Sequence, residues 1–216
     1  MSSEINFQFL RPFGPIICKV TIPNQIINNL NNYVDQIIEN KRKINELNYG
    51  KNLAGNVHQE FQLEKDFIKD SKWGNFLSGC AQAWIKKTID KDVKEFKLIS
   101  TWIVRQFKGE YNPIHTHGGH LSGVGYLKVP STFGQYEQSD KRNNQNGMLS
   151  LIHGSKMFLS DSTYTITPKV GDFYFFPNYL MHTVYPFSGS DEERRSISFN
   201  AYIDENIYNV FQSKNS

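Results

Sequence analysis

The chain has 216 residues, with 24 Lys and Arg against 21 Asp and Glu for a net charge of +3. So small a charge excludes the electrostatic footprint of a nucleic-acid binder; no apolar run approaches the ~20 residues of a membrane-spanning helix; and two cysteines are too few for a disulfide framework. A content of 38% hydrophobic and 14% aromatic residues instead fits one folded domain with a sizeable core.

Residues 5–22 read as extended segments broken at Pro12, Gly14 and Pro15. Pro23-Asn24 then opens a helix. Ile26, Ile27, Leu30, Tyr33, Val34, Ile37 and Ile38 give it one apolar stripe for packing on a sheet. Residues 45–65 are polar and irregular, with turns at Gly50 and Gly55; His58 there reads as a surface or hydrogen-bonded residue. A second helix is expected from about Asp70 or Ser71, burying Trp73, Phe76, Leu77, Cys80, Ala81, Trp84, Ile85 and Ile89. Lys41, Arg42, Lys43, Lys86 and Lys87 read as solvated helix faces. Cys18 and Cys80 lie in no CxxC pair and read as buried small apolar residues. The opening Met-Ser-Ser-Glu-Ile-Asn lacks the regions of a signal peptide, so a soluble, cytoplasmic protein is expected.

From residue 96 helical periodicity gives way to short aromatic and β-branched runs between Gly, Pro, Asn and Ser. Strands are expected near 98–107, 122–129, 148–152, 155–159, 163–167, 172–176, 182–186 and 195–203. The pattern is mainly β with flanking helices, a β-barrel or jelly roll with helices on one outer face. It divides a single domain into N-terminal strands and supporting helices (1–95), a β core (96–203) and a tail (204–216). The polar loop 131–147 is placed as a substrate lid by position and length.

Three of the six histidines fall in Tyr111-Asn112-Pro113-Ile114-His115-Thr116-His117-Gly118-Gly119-His120. Alternate residues of an extended strand share a face, so His115 and His117 can offer two imidazoles to one metal. A third ligand must come from elsewhere. His182 follows a Gly171-Asp172 turn, an aromatic strand Phe173–Phe176 that would wall the barrel, and a Pro177 corner. The plain alternative is that His115 and His117 are hydrogen-bonding loop residues. His120, in a glycine-flanked loop, is a bystander or pocket residue, and His153, before Gly154, reads as structural or exposed.

Twelve residues after His182, strand alternation puts Arg194, Ser196, Ser198 and Asn200 on one face and Arg195, Ile197, Phe199 and Ala201 on the other. A polar inner face suits a hydrated pocket. The planar fork of Arg194, with Ser196 beside it, suits a carboxylate. Arg195 fits a surface salt bridge after Asp191-Glu192-Glu193.

As an ordered set these motifs resemble the iron(II)- and 2-oxoglutarate-dependent oxygenases, most closely an oxygenase branch common in marine bacteria and phages. The set comprises Trp102, Gly109, His115-Thr116-His117, Ser122-Gly123-Val124-Gly125-Tyr126-Leu127, Pro168-Lys169-Val170-Gly171-Asp172, Phe176-Pro177, His182-Thr183-Val184-Tyr185-Pro186 and Arg194-Arg195-Ser196-Ile197-Ser198-Phe199-Asn200. The resemblance implies a double-stranded β-helix with Fe(II) and 2-oxoglutarate as cofactors. O2 would be the second cosubstrate, and the substrate a protein, a peptide (a prolyl residue included) or a small molecule, its C–H bond hydroxylated as 2-oxoglutarate becomes succinate and CO2. It implies His115 and His182 as iron ligands, Arg194 and Ser196 on the far carboxylate of 2-oxoglutarate, and Tyr126 adding its hydroxyl there. It further implies a host-cell cytoplasmic location if the protein is phage-encoded.

The chain departs from the family at His117, which stands where the wider family has a carboxylate. Either His117 ligates, giving a three-histidine site, or it withdraws; face alternation favours ligation. A cupin shares part of the pattern, with Gly109, His115, His117, Gly171, Pro177 and His182 in frame. It lacks the Glu expected after His117 and has no use for Arg194 and Ser196. A non-catalytic jelly-roll binding protein would leave the histidines incidental.

Overall fold

The computed structural model describes residues 6–10, 14–135 and 143–209. Strands β1 (Phe7–Leu10) and β2 (Ile17–Thr21) form the first hairpin. Helix α1 (Asn24–Ile38) follows Pro23, then the short α2 (Lys41–Glu46), strand β3 (Gln59–Gln62), the short α3 (Lys65–Asp70) and helix α4 (Trp73–Ile89). Eight strands complete the core: β4 (Phe96–Gln106), β5 (Asn112–His115), β6 (Leu121–Lys128), β7 (Leu149–Ile152), β8 (Thr163–Ile166), β9 (Asp172–Pro177), β10 (Met181–Val184) and β11 (Arg194–Ile203). Helix α5 (Glu205–Tyr208) follows.

The strands build two antiparallel sheets. The larger runs β1-β2-β9-β6-β11-β4-β3 and the smaller β5-β10-β7-β8. Together they make the jelly roll of a double-stranded β-helix, with the long helices on one outer face. Period-2 alternation divides the apolar residues between two cores. Phe173, Phe175, Ile197 and Phe199 turn outward and pack with Leu30, Val34 and Ile37 of α1 and Trp73, Leu77 and Trp84 of α4. Their neighbours Tyr174 and Phe176 turn inward, meeting Val124 and Tyr126 and the smaller sheet's Leu149, Leu151 and Val184. The aromatic strand therefore walls the barrel with alternate residues only.

The glycines of Ser122-Gly123-Val124-Gly125 answer to the outer core. A Cβ on Gly125 would stand 2.3 Å from the Phe173 ring, and one on Gly123 2.7 Å from it. The ring fills the space their missing side chains leave. Cys18 and Cys80 are both free and wholly buried, and burial pushes each thiol up to about 12, which leaves them inert packing groups.

Several sequence expectations are corrected. Residues 155–159 are not a strand. The apolar run Met157-Phe158-Leu159 caps a tight turn closed by Met157 and Ser160, with Leu159 in the left-handed region and Phe158 and Leu159 almost fully exposed. The stretch 45–65 contains β3, and 112–115 forms a strand of its own. Arg195 faces the helices as expected but is no surface residue: buried beneath α1, it bonds Asp35, Asn31 and Glu193. Loop 131–147 lies partly outside the described residues, since 136–142 are among those not described; its two ends pack on 186–189, where Gly147 donates to the Pro186 carbonyl and Phe133 meets Phe187. Among the described residues no helix is long and apolar enough to cross a membrane.

Candidate metal centre and anion pocket

His115 and His182 are direct cross-strand partners on β5 and β10, so their side chains share a face though 67 positions separate them in the chain. His117 lies just past the end of β5, so strand alternation alone does not place it. Its backbone N–H donates to the Asn178 carbonyl (3.0 Å), and the Asn178 side-chain amide donates to the His117 carbonyl (3.3 Å). This clamp brings the third imidazole in, and one potential ligand atom from each histidine lies within 4.8 Å of the others.

Two tautomers are set by the backbone. His115 Nδ1 donates to the Pro113 carbonyl at 2.7 Å and His182 Nδ1 to the Leu180 carbonyl at 3.0 Å, leaving each Nε2 as a bare lone pair. His182 Nε2 lies 3.0 Å from His117 Nε2, so those two nitrogens must share either a proton or a cation. Burial, then the adjacent His182 and His115 rings, pushes His117 down to about 2. Burial and His115 push His182 down to about 4, and burial holds His115 below its ordinary value. Three neutral imidazoles at pH 7 are ligands in the protonation state that metals require. Trp102 packs on His117 and Phe176 edges against His182, fixing both rings.

A cavity of about 180 Å³ joins the histidines to Arg194, Ser196 and Ser198, with Trp102, Val104, Asn112, Thr116 and Phe176 among the other residues that line it. Arg194 is 1% exposed. Gln106 accepts from its Nη1, its plane lies 5.1 Å from the centre of the Tyr126 ring, and its Nε and Nη2 have no hydrogen-bond partner; neither has the Tyr126 hydroxyl. No carboxylate bridges Arg194 among the described residues, unlike Arg195 and Arg105, which both grip Glu193. A buried guanidinium with two open donors can receive an anion. Burial pushes the Tyr126 hydroxyl up, so it is a neutral donor.

The sequence's site residues are thus mostly gathered in one place. His115, His117, His182, Arg194 and Ser196 share the cavity, and Tyr126 stands against Arg194 without lining it. Asn200 keeps the alternation but does not line the cavity, and its side chain takes the Ser122 hydroxyl instead. His120 does not line the triad's cavity; it is buried against Ile203 and stacked on Tyr208 of α5. His58 is exposed and held by Glu110. Gln106, Asn178 and the loop Asn52–Ala54, which also lines the cavity, were not singled out by sequence reasoning. Loop 131–147 contributes no described residue to that lining.

Residues 100–200, the segment carrying the whole constellation, match a family model described as "Putative 2OG-Fe(II) oxygenase". No curated protein matches the chain by sequence. Solved structures share the fold. A prolyl-4-hydroxylase from Pseudomonas putida aligns with TM-score 0.57 at 13% identity, over 85% of this chain and 91% of that one. A Trichoplax adhaerens prolyl hydroxylase, in complex with a hypoxia inducible factor oxygen degradation domain peptide fragment, gives 0.54 at 13% identity over 90% and 86%. HygX from Streptomyces hygroscopicus, with nickel, 2-oxoglutarate and hygromycin B bound, gives 0.53 at 9% identity over 85% and 81%. The family match falls on the strands that build the cavity, and over residues 100–200 the chain is similar to the iron(II)- and 2-oxoglutarate-dependent oxygenases.

Proposed function

We propose that the protein is an Fe(II)- and 2-oxoglutarate-dependent dioxygenase that hydroxylates a C–H bond of its substrate. The observation that carries this is one cavity holding both a cluster of three neutral histidines and a buried, unpaired arginine. The donor set fits the cofactors: three imidazole nitrogens suit a first-row metal, and Arg194 with Ser196 and Tyr126 suits a carboxylate. His115, His117 and His182 would hold the iron. Arg194 would take the far carboxylate of 2-oxoglutarate in its two open N–H groups, with the hydroxyls of Ser196 and Tyr126 beside it. When bound, the iron and its cosubstrate supply the activation of O2.

The chain's own residues orient and exclude. Gln106 fixes the guanidinium by accepting from Nη1. Its amide donates in turn to the Glu110 and Tyr185 carbonyls, so the clamp is fixed before cosubstrate arrives. Trp102, Val104, Phe176 and Val184 keep the cavity wall apolar and water out. Replacing the usual carboxylate ligand by His117 leaves the centre a unit charge more positive, which favours dianionic 2-oxoglutarate over water as the next ligand. A peptidyl residue, prolyl included, or a small molecule would enter from the side of loop 52–54.

Anaerobic addition of Fe(II) and then 2-oxoglutarate tests the reading. It should produce the weak visible band of the chelate, and O2 should then release succinate. Arg194→Ala should weaken 2-oxoglutarate binding at least tenfold with metal binding retained. No band and no thermal stabilisation by 2-oxoglutarate would sink the assignment; a band that survives Arg194→Ala at unchanged affinity would remove the clamp.

A further inference from the structure

Away from the proposed metal centre the molecule carries an apolar projection and an apolar hollow, and the oxygenase chemistry uses neither. The projection is the β7–β8 hairpin. At its base the His153 N–H donates to the Ser162 carbonyl (2.9 Å), and at its tip the backbones of Met157 and Ser160 exchange two hydrogen bonds of 3.0 Å. Met157, Phe158 and Leu159 are 68%, 92% and 91% exposed, so a well-tied turn holds three large apolar side chains in water. Leu159 has φ +64°. Gly or Asn would serve that left-handed position at less cost, so turn formation alone does not account for a leucine there.

The hollow is a cavity of about 630 Å³ between the C-terminal half of α4, the β9–β10 turn and α5, and it shares no lining residue with the metal cavity. Its walls are largely apolar, with Ile85 and Ile89 of α4, Tyr179 of the turn and Ile207 of α5 among them. Ile89 and Tyr179 are 48% and 51% exposed at its rim. A cavity of this size accommodates a drug-sized ligand, and therefore a Phe and a Leu side chain together. Projection and hollow also lie on the same side of the molecule. Gly14 lines the cavity, and a Cβ on it would stand 3.6 Å from the His153 ring at the base of the hairpin. Yet Met157, Phe158 and Leu159 do not line the cavity beside them.

We propose that two copies of the chain pair about a twofold axis, each seating Phe158 and Leu159 in the α4–α5 cavity of the other. A projection and a hollow side by side on one surface are self-complementary under a twofold rotation, which makes both contacts at once and closes the assembly. Area favours the reciprocal arrangement. The three tip side chains bring on the order of 400 Å² of apolar surface. Two tips and the walls they cover would bury roughly 1,600 Å², the size of a standard specific interface, whereas one tip alone would bury about half of that, in the range of a crystal contact. The pairing stands independently of the oxygenase reading, since neither metal nor cosubstrate touches it.

Sedimentation velocity of the full chain, without metal, at concentrations from about 1 to 100 μM tests the pairing. The wild type should move from monomer to dimer within that range and go no further. Phe158→Asp at the tip and Ile89→Arg at the rim, both at exposed positions, should each raise the dimer dissociation constant at least tenfold with the far-UV circular dichroism unchanged. Leu159→Gly should also weaken the dimer at least tenfold, although glycine suits that backbone better; a leucine needed only for the turn would give the opposite result. Mixing Phe158→Asp with Ile89→Arg supplies the decisive arm. One variant keeps an intact cavity and the other an intact tip, so the mixture should form heterodimers at concentrations where each alone is monomeric. A wild type that stays monomeric throughout, a dimer that tolerates either Phe158→Asp or Ile89→Arg, or a mixture that stays monomeric would overturn the proposal. Masses that grow beyond the dimer would overturn it too, because they mark head-to-tail chains rather than a closed pair.

Discussion

His117 is the residue at which this chain departs from the oxygenase resemblance read in its sequence, and its geometry makes that departure testable. Its Nε2 faces the bare Nε2 of His182 at 3.0 Å, so truncating it should remove a ligand. His117→Ala is expected to lower Fe(II) affinity at least tenfold in an anaerobic titration, while unchanged affinity would mean a two-histidine site. Glu60 supplies a prediction of different sign. Burial, with Glu110 adding to it, pushes its carboxyl from 4.5 up to about 7. A raised carboxyl keeps its proton longer in the folded than in the unfolded state. Stability is therefore fully present below about pH 4.5 and declines as pH rises through about 7. Glu60→Gln cannot titrate, so it should match the wild type near pH 5 and exceed it by roughly 3 kcal/mol at pH 8. Denaturant unfolding at the two pH values, with Glu110 and its partner His58 left intact, measures the difference. Neither Glu60 nor Gln106 was legible in the sequence. Each takes its meaning from a partner dozens of positions away, and neither belongs to a short motif.

At the scale of elements, the β9–β10 turn does more than reverse the chain. Asn178 exchanges two hydrogen bonds with the His117 backbone, donates its own N–H to the His120 carbonyl, and receives the Tyr208 hydroxyl of α5 on Oδ1 at 3.1 Å. Helix α5 is held in turn by stacking of Tyr208 on His120. The histidine left over from the sequence's cluster therefore acts as the seat of a latch: α5 braces Asn178, and Asn178 braces a proposed metal ligand. Removing a partner that orients a ligand typically costs 10–100-fold in metal affinity. Asn178→Ala should fall in that range and broaden the chelate band, with the melting temperature of the metal-free protein moved little because the side chain is only partly buried. Tyr208→Phe should produce a smaller effect of the same kind. A metal affinity left intact in both variants would reduce the latch to ordinary packing.

For the whole molecule, alternation made the polar Arg194-x-Ser196 face legible; the same period 2 divides the aromatic strand, Tyr174 and Phe176 inward and Phe173 and Phe175 outward, where the sequence suggested that the whole run walls the barrel. Strand pairing was not legible. The partnership of β5 with β10, which sets His115 opposite His182, joins a four-residue strand to one much later in the chain, and no local signal encodes it. The apolar turn 157–159 misled for the converse reason, having strand composition without a partner. That pairing also determines how ligands should act on stability. His115 and His182 stand on the smaller sheet, Arg194 and Ser196 on the larger, and the cavity lies between them. In the proposed site, metal alone would tie together the β5–β10 ladder and the loop that carries His117, and 2-oxoglutarate reaching Arg194 would tie sheet to sheet. A ligand at 100 times its Kd adds about 2.7 kcal/mol, and each kcal/mol moves the melting temperature of a chain this size by about 2–4 °C. Saturating 2-oxoglutarate should therefore raise the melting temperature of the Fe(II)-loaded protein by roughly 5–10 °C. Without metal it should raise it far less, since one of its two attachments is missing. In Arg194→Ala the increment from metal should persist while the increment from 2-oxoglutarate shrinks to a small remainder. Equal increments with and without metal would mean that the cosubstrate does not bridge the two sheets.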